Sequence, residues 1–425
     1  MGLAHSRIML TVSLALPLLL AAALRAEDWP QWRGPQRDGV WSETGILASF
    51  PPDGLQVRWR AKVGPGWSSP IVAKGRVYLT DSELRKPKAR ERVHCFDEAT
   101  GKPLWTFAYD VTYPDWAFPE RGPTATPIVQ GGKLYTLGNK GDLHCLDSLT
   151  GEILWKRNLE EEYDVQEFAF NASPLLEGGL LILCIGSYPD TNLSSVLALD
   201  KESGKEVWKA PTGGLTNSSP IVITAGGKRQ LIVWAQDGVM ALDIATGKTY
   251  WREKLTTAAA SAVTTPVCHK DLLLISGLML KLDADKPAAS VLWPESKAVA
   301  RRILSVTSTG LIQDGHVYSV KASGELVCLE ASSGKQLWVT DKVTRLGSGA
   351  SIHLTPNGDG VLLHTDRGEL IRAQLTGKGY QEISRTVLLA PPGKSKAWAA
   401  PAFANRHAFA RNDQELICVS LAAKQ

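Results

Sequence analysis

From Val57 onward, apolar and polar positions alternate in short runs such as Arg76-Val77-Tyr78-Leu79 and Lys133-Leu134-Tyr135-Thr136, set apart by Gly turns. Period-two alternation over a few residues predicts half-buried β-strands. The runs are grouped. A small-polar pair before Pro opens a group (Ser68-Ser69-Pro70, Ala125-Thr126-Pro127, Ala172-Ser173-Pro174, Ser218-Ser219-Pro220, Thr264-Thr265-Pro266), and an acid-to-Trp segment closes it. That segment reads DEATGKPLW (Asp97 to Trp105), DSLTGEILW (Asp147 to Trp155), DKESGKEVW (Asp200 to Trp208), DIATGKTYW (Asp243 to Trp251) and EASSGKQLW (Glu330 to Trp338), with a looser copy from Asp283 to Trp293. Each group therefore holds four short strands in roughly 45 residues, and the period itself marks a repeat architecture.

The closing segment has the chemistry of a hairpin. Its Asp carboxylate accepts hydrogen bonds from turn N–H groups, its Gly supplies a positive φ, and the chain returns as an outer strand bearing Trp. A four-stranded sheet that is apolar on both faces cannot bury itself alone, whereas radial stacking buries both faces with a Trp between neighbours. The expected fold is all-β, an eight-bladed β-propeller of four-stranded antiparallel blades over residues 57–421. Blades are expected to end near residues 105, 155, 208, 251, 293, 338, 387 and 421, the seventh with Ile383 or a neighbour in place of Trp. The eighth has no outer strand of its own. Residues 57–63, with Trp59, supply it and close the ring; a malformed seventh unit would leave seven blades. Trp59, Trp105, Trp155, Trp208, Trp251, Trp293 and Trp338 then share one structural position, which accounts for half of the 14 Trp in the chain.

Composition narrows the classes. With 425 residues and 44% apolar side chains, the chain can bury a large core, which excludes disorder for most of it. Residues 1–26 read as a secretory signal, with Arg7 followed by an apolar stretch broken by Pro17 and by small residues up to Ala26. No Cys lies near the cleavage site, so a lipid anchor is not expected. The net charge of +4 falls to about +2 without Arg7 and Arg25, which gives no reason to expect nucleic acid or a membrane surface as partner. A Trp-rich lead-in, residues 27–56, precedes the propeller and is expected to pack across its base or rim.

The A/C-L-D-x-x-T/S-G-x-x-x-W segment resembles the repeat of the quinoprotein-like propellers, which include the pyrroloquinoline-quinone (PQQ) alcohol dehydrogenases and the outer-membrane-protein assembly propeller. The stretch DWPQWRGPQRDGVW (Asp28 to Trp41) also resembles the lead-in of secreted planctomycete-type PQQ-like repeat proteins. A WD40 assignment fits poorly, because no repeat Trp is followed by Asp. The dehydrogenase resemblance implies adjacent cysteines, a calcium held by a carboxylate, and a catalytic Asp. None of the six Cys are adjacent. The positions at the start of each first strand, which the resemblance places around the channel, carry no acid. They form a neutral funnel with candidate binding residues Trp67, Ser68, Thr124, Asn171, Asn217, His353 and Trp398, joined by Arg121. Strand-edge packing around a water-filled channel is the plainer reading of the same positions.

Other chemistry is sparse. Cys95, Cys145, Cys328 and Cys418 occupy a repeat position that Ala198, Ala241 and Ala373 fill elsewhere, so buried free thiols are expected there rather than disulfides. His94 and His144 share a repeat position, and no HExxH, paired-Cys zinc or CxxCH spacing exists. Two long connections, Thr106 to Pro123 and Lys156 to Phe170, emerge on one face; Tyr113, Trp116 and Phe118 make the first a candidate surface for a partner. The expectation is an exported, monomeric, non-catalytic scaffold that binds periplasmic or envelope proteins, with no metal and no cofactor. The alternatives are a PQQ- and calcium-dependent dehydrogenase and small-ligand or carbohydrate binding in the funnel.

Overall fold

A computed structural model describes residues 27–115, 122–165, 170–186, 194–255, 262–296, 303–344, 346–347, 350–390 and 397–423. Within them the strands pair into eight four-stranded antiparallel sheets, joined by one short helix, Leu159–Tyr163. Blades 1 to 7 follow chain order, from blade 1 (Ile71–Ala73, Arg76–Arg85, Lys88–Asp97, Pro103–Val111) to blade 7 (Ile352–Asn357, Gly360–Thr365, Glu369–Thr376, Gly379–Val387). Blade 8 takes three strands from the C-terminus (Ala402–Ala404, His407–Arg411, Glu415–Ser420) and its outer strand, Val57–Lys62, from the N-terminal side. That outer strand pairs Trp59 with Cys418 and Lys62 with Glu415, so the two ends of the repeat array are joined by a strand ladder. The protein is an eight-bladed propeller.

The recurrent turn is built as its sequence requires. Asp97 accepts hydrogen bonds from the Thr100 amide at 2.9 Å and the Thr100 hydroxyl at 2.6 Å, and Asp200 and Asp243 hold Ser203 and Thr246 in the same way. These bonds favour the ionised carboxylate and hold Asp97 below the ordinary range. The Gly of the turn does a second job that its φ alone does not reveal. A Cβ on Gly151 would lie 2.7 Å from the ring of Trp105, one on Gly204 2.8 Å from Trp155, and one on Gly247 2.5 Å from Trp208. Each Trp thus lies flat against the Gly of the next blade and donates its indole N–H to a turn carbonyl there, Trp208 to Ile244 O at 2.9 Å and Trp293 to Ala331 O at 2.8 Å. The same contact closes the ring, since Trp59 packs on Gly101 and donates to Glu98 O at 2.7 Å. Trp251 departs from the pattern and donates to Gln230 Oε1 of its own blade at 2.8 Å, because the next turn, after Asp283, has no Gly.

Opposite six of the seven repeat Trp on the third strand sits a small residue: Cys95, Cys145, Ala198, Ala241, Cys328 and Cys418 pair with Trp105, Trp155, Trp208, Trp251, Trp338 and Trp59, whereas Trp293 faces Met279. A bulge accompanies this pair in blades 1 to 6, for instance between Cys95 and Phe96, and in blade 8, between Val57 and Trp59. All six Cys are free thiols, and burial pushes Cys145 and Cys328 up to about 11 and Cys184 and Cys418 up to about 12. Blade 7 narrows the expectation of Ile383 or a neighbour in the Trp position to Ser384. The bulge there falls between Arg372 and Ala373, so Arg372 faces Ser384 across the ladder while Ile383 is the bulged residue and points outward. Ser384 accepts a hydrogen bond from the Phe50 amide at 2.8 Å, and the buried Phe50 ring joins Leu388, Leu389 and Phe403 in the core between blades 7 and 8. A residue of the N-terminal lead-in thereby seals the joint that lacks its Trp.

Candidate functional site

The small-polar pairs that open each blade are used mainly between blades. The Ser69 amide donates to Thr126 Oγ1 at 3.0 Å, the Thr126 amide to Ser173 Oγ at 3.0 Å, and the Ser173 amide to Ser219 Oγ at 2.9 Å; the Thr265 amide reaches Thr309 Oγ1 at 3.0 Å. A run of hydroxyls therefore ties neighbouring innermost strands together. Ser68, expected in the funnel, is fully buried and donates to Thr80 O at 2.8 Å. Such a partner offsets the cost of burying a hydroxyl.

The remaining funnel residues fall into two arcs. On one side Thr124 donates to Asn171 Oδ1 at 2.8 Å and Asn171 Nδ2 to Asn217 Oδ1 at 3.1 Å, a polar line across blades 2 to 4. On the other, His353 Nε2 meets Trp398 O at 2.8 Å, and the Trp67 and Trp398 rings stand edge to face with centroids 5.2 Å apart. Burial pushes the His353 imidazole down to about 4, with Arg33 nearby adding to the effect. Arg121, Trp116 and Phe118 lie outside the described residues. Tyr113, expected on an exposed loop, is 4% exposed and gives its hydroxyl to Glu91, a carboxylate buried between blades 1 and 2 that also accepts from Tyr109 at 2.6 Å. A buried acid needs that many donors, which is why the aromatic residue of this connection turns inward.

The lead-in supplies what the first-strand positions do not. Residues 29–41 bond to the inner strands of successive blades. Trp29 forms an antiparallel bridge with Val72, Pro30 O accepts from the Val129 amide, and Trp32 Nε1 donates to Thr265 Oγ1 at 2.9 Å. Arg37 donates to Ser173 O, Pro174 O and Pro220 O, each at 2.8 Å, and the Trp41 amide donates to Pro356 O. Trp29 and Trp41 also pack on Phe403 of blade 8. One loop thus touches blades 1 to 5, 7 and 8, which places it across the inside of the ring. Its Gly residues follow from close packing: a Cβ on Gly34 would lie 2.9 Å from the Trp29 ring and one on Gly39 2.7 Å from the Arg33 guanidinium. Arg33 and Arg37, both at φ 61°, hold the left-handed backbone that aims their side chains inward. The R-G-P-Q-R-D-G spacing was the one sequence signal for this arrangement, and nothing local to it says that it is directed into a ring.

A second concave region lies at the ring closure. The long second and third strands of blade 1 carry Asp81, which is fully buried and held by Arg92 Nη2 at 2.7 Å, Arg92 Nε at 2.8 Å and His94 Nε2 at 2.9 Å. Burial alone would raise this carboxyl, but the bonds from His94 and Arg92 outweigh it and hold it down at about 2. Beside it, between this hairpin and the outer strand of blade 8, is a groove of about 880 Å³ lined by charged residues including Arg60, Lys62, Glu83, Arg85 and Glu415. Several of these charges are already paired, Arg60 with Glu415 and Arg85 with Glu83, both at 2.6 Å.

A family profile described as outer membrane protein assembly factor BamB matches residues 89–277 and 192–425. The chain belongs to this family of PQQ-like propellers. Among curated BamB relatives, that of Moranella endobia is 24% identical over 228 residues, 50% of this chain and 56% of the relative, so the match spans little more than half of that protein. The crystal structure of BamB from Moraxella catarrhalis superposes with a TM-score of 0.59 at 16% identity, covering 87% of this chain and 99% of that one. The quinohemoprotein alcohol dehydrogenase of Comamonas testosteroni superposes with a TM-score of 0.69 at 14% identity, covering 95% and 82%. At these identities the two structures speak for the fold alone.

The quinoprotein side of the resemblance implies PQQ and calcium at the ring axis, and the described residues do not fit that group. Calcium takes several oxygen ligands with carboxylates among them. The hydroxyls of Thr126, Ser173 and Ser219 are engaged between blades, the charged groups brought to the axis are the guanidiniums of Arg33 and Arg37, and no cluster of His, Cys, Asp or Glu suited to a metal occurs among the described residues. A divalent cation beside two guanidiniums is repelled in a low-dielectric interior.

Proposed function

We propose that this chain is an exported propeller that binds other proteins of the cell envelope and serves as a scaffold rather than an enzyme. The observation that carries this reading is the threading of residues 29–41 across the inside of the ring, where a substrate of a propeller enzyme would sit, in a chain whose family is described as an assembly factor. With the axis crossed by the chain itself, recognition falls to the rim and the outer faces, and the charged groove between blades 8 and 1 is a concave surface there. No helix among the described residues is long and apolar enough to cross a membrane. The proposed location is the periplasm or envelope, with a monomeric chain.

The test has two arms. Purified mature protein, immobilised and exposed to an envelope extract, should retain the same proteins in replicate captures and release them when free protein is added as competitor. The same protein mixed with PQQ and calcium should give no dye-linked alcohol oxidation above the cofactor alone. Turnover that depends on both PQQ and the protein would overturn the scaffold reading, as would a capture that free protein does not compete.

A further inference from the structure

Two arginines stand inside the ring without a buried acid to balance them, and their hydrogen bonding differs. Arg37 uses four of its five donors: its guanidinium gives Nε to Pro220 O, Nη1 to Pro174 O and Gln31 Oε1, and Nη2 to Ser173 O. It acts as a staple between blades 3 and 4. Arg33 is different. A guanidinium has five N–H donors in a fixed fork, and the single acceptor that the described residues give Arg33 is Asp38 O, at 2.5 Å from Nη2. Its Nε is buried with no partner among the described residues. The Asp38 side chain, the one carboxylate whose charge bears on Arg33, is exposed and accepts from the Val40 amide.

The loop has been shaped around this unsatisfied group. Arg33 takes a positive φ that costs a non-Gly residue about 1 kcal/mol or more, and Gly39 leaves room for the guanidinium where any side chain would collide with it. Trp32, next in the chain, is fixed by its bond to Thr265 and stands edge on to His353 at 6.4 Å, and His353 in turn is tied to Trp398. Burial lowers Arg33 from 12.5 to about 10 and Arg37 to about 9, and Arg33 depresses Arg37 further. Both effects measure the same deficit, positive charge held in the ring without a counter-charge.

We infer that Arg33 is the anchor of an anion-binding site on the axis of the ring, taking a small oxyanion or carboxylate through the free edge of its guanidinium. Planar, bidentate recognition of a carboxylate or phosphate is what a half-used guanidinium fork provides. The site is made by the lead-in, not by the repeat. It does not depend on the protein-binding reading, since a scaffold with a bound anion and a scaffold without one expose the same rim.

The experiment uses the full mature chain. Sodium phosphate, sodium sulfate and sodium succinate are titrated at constant ionic strength against sodium chloride, with the midpoint of thermal unfolding and calorimetric heat as readouts. A ligand that binds only the folded chain raises the midpoint in proportion to the logarithm of its concentration above Kd. At least one of the three anions is expected to bind saturably, phosphate or sulfate if the site takes a tetrahedral oxyanion and succinate if it takes a carboxylate. Arg33→Gln should weaken that binding at least tenfold, and Arg33→Lys, which keeps the charge and loses the fork, should weaken it less. Absence of saturable binding for all three, or undiminished binding in folded Arg33→Gln, would overturn the inference. If Arg33→Gln does not fold, the Arg33 Nε–H resonance of the unaltered protein decides: a shift that saturates with the anion supports the site, and an unmoved resonance refutes it.

Discussion

The Trp and Gly of neighbouring blades form a single unit split over two distant parts of the repeat, and this explains why a turn Gly matters beyond its own turn. At Gly151 the chain has φ 77°, and an added Cβ would press on the Trp105 ring, so Gly151→Ala carries both backbone strain and overpacking. A loss of roughly 2 to 4 kcal/mol is expected in urea unfolding. Gly179, with nothing within 4 Å of a built Cβ, provides the control, and Gly179→Ala should move the midpoint little. Asp142 gives a second case. Burial, reinforced by Glu91, Glu160 and Glu161, pushes its carboxyl up to about 7. Because the folded value lies above the unfolded one, the folded chain retains a proton that the unfolded chain releases. Stability is then full below about pH 4 and is lost as pH rises through 7. Asp142→Asn should therefore gain on the unaltered protein between pH 4 and 7 and hold that gain above 7, read as the difference in urea midpoints at pH 4.5 and pH 8. A gain that does not change with pH would show that Asp142 is ordinarily ionised when folded.

Among the elements, the lead-in is the one whose role departs most from its appearance as a tail. It has almost no regular structure, yet Arg37, Trp41, Phe50 and Trp29 are buried, and its bonds reach seven of the eight blades. Arg37→Ala leaves the carbonyls of Ser173, Pro174 and Pro220 without their donor in a buried place, at a cost of about 1 to 3 kcal/mol for the unmet groups and further loss of packing. A drop of at least 2 kcal/mol in unfolding free energy is expected, and an unchanged midpoint would mean that water replaces the guanidinium there. Phe50→Ala should open the joint between blades 7 and 8, where Ser384 stands in the Trp position, and cost about 3 to 5 kcal/mol. The outer strands carry exposed apolar residues such as Leu104, Leu154 and Val207 next to the packed Trp. Their alternation was plain in the sequence, while the inward turn of Tyr113 was not, because its partner Glu91 belongs to a strand 22 residues earlier.

For the molecule as a whole, ring closure makes the two ends of the repeat array interdependent. The Val57–Lys62 strand joins blade 8, and Trp59 docks on blade 1, so unfolding is expected to be cooperative across the ring rather than blade by blade. Acid should weaken the whole assembly. His144, His353 and His364 are driven by burial down to about 4, 4 and 3, and both ring nitrogens of His364 lack partners. Their folded values lie below the unfolded one, so the stability they contribute as neutral groups is present above about pH 6.5 and is lost as pH falls toward 4. His364→Leu should therefore become progressively more stable than the unaltered protein below pH 6.5, measured as the difference in thermal midpoints at pH 7.5 and pH 5. A constant difference across that range would rule out titration of His364 as part of the acid limb.

The sequence by itself determined the unit and its closing strand, because strand alternation, the Asp-to-Gly turn and the Trp eight residues beyond the acid are all written within one short stretch of chain, while the structure decided that the seventh unit is a full blade. It also placed Cys95, Cys145, Cys328 and Cys418 at one repeat position that Ala198 and Ala241 share, although the structure puts Met279 there in blade 5. Only the tertiary structure decided that Ser69, Thr126 and Ser173 turn their polar groups to the next blade, that Ser384 and not Ile383 faces the third strand, and that Arg33 and Arg37 enter the ring. The bonds between blades and those of Arg37 reach partners 46 to 183 residues away, which meet only when the ring is closed. Local pattern fixes which face of a strand is buried, but which group meets a buried donor is settled by what the closed ring places opposite it.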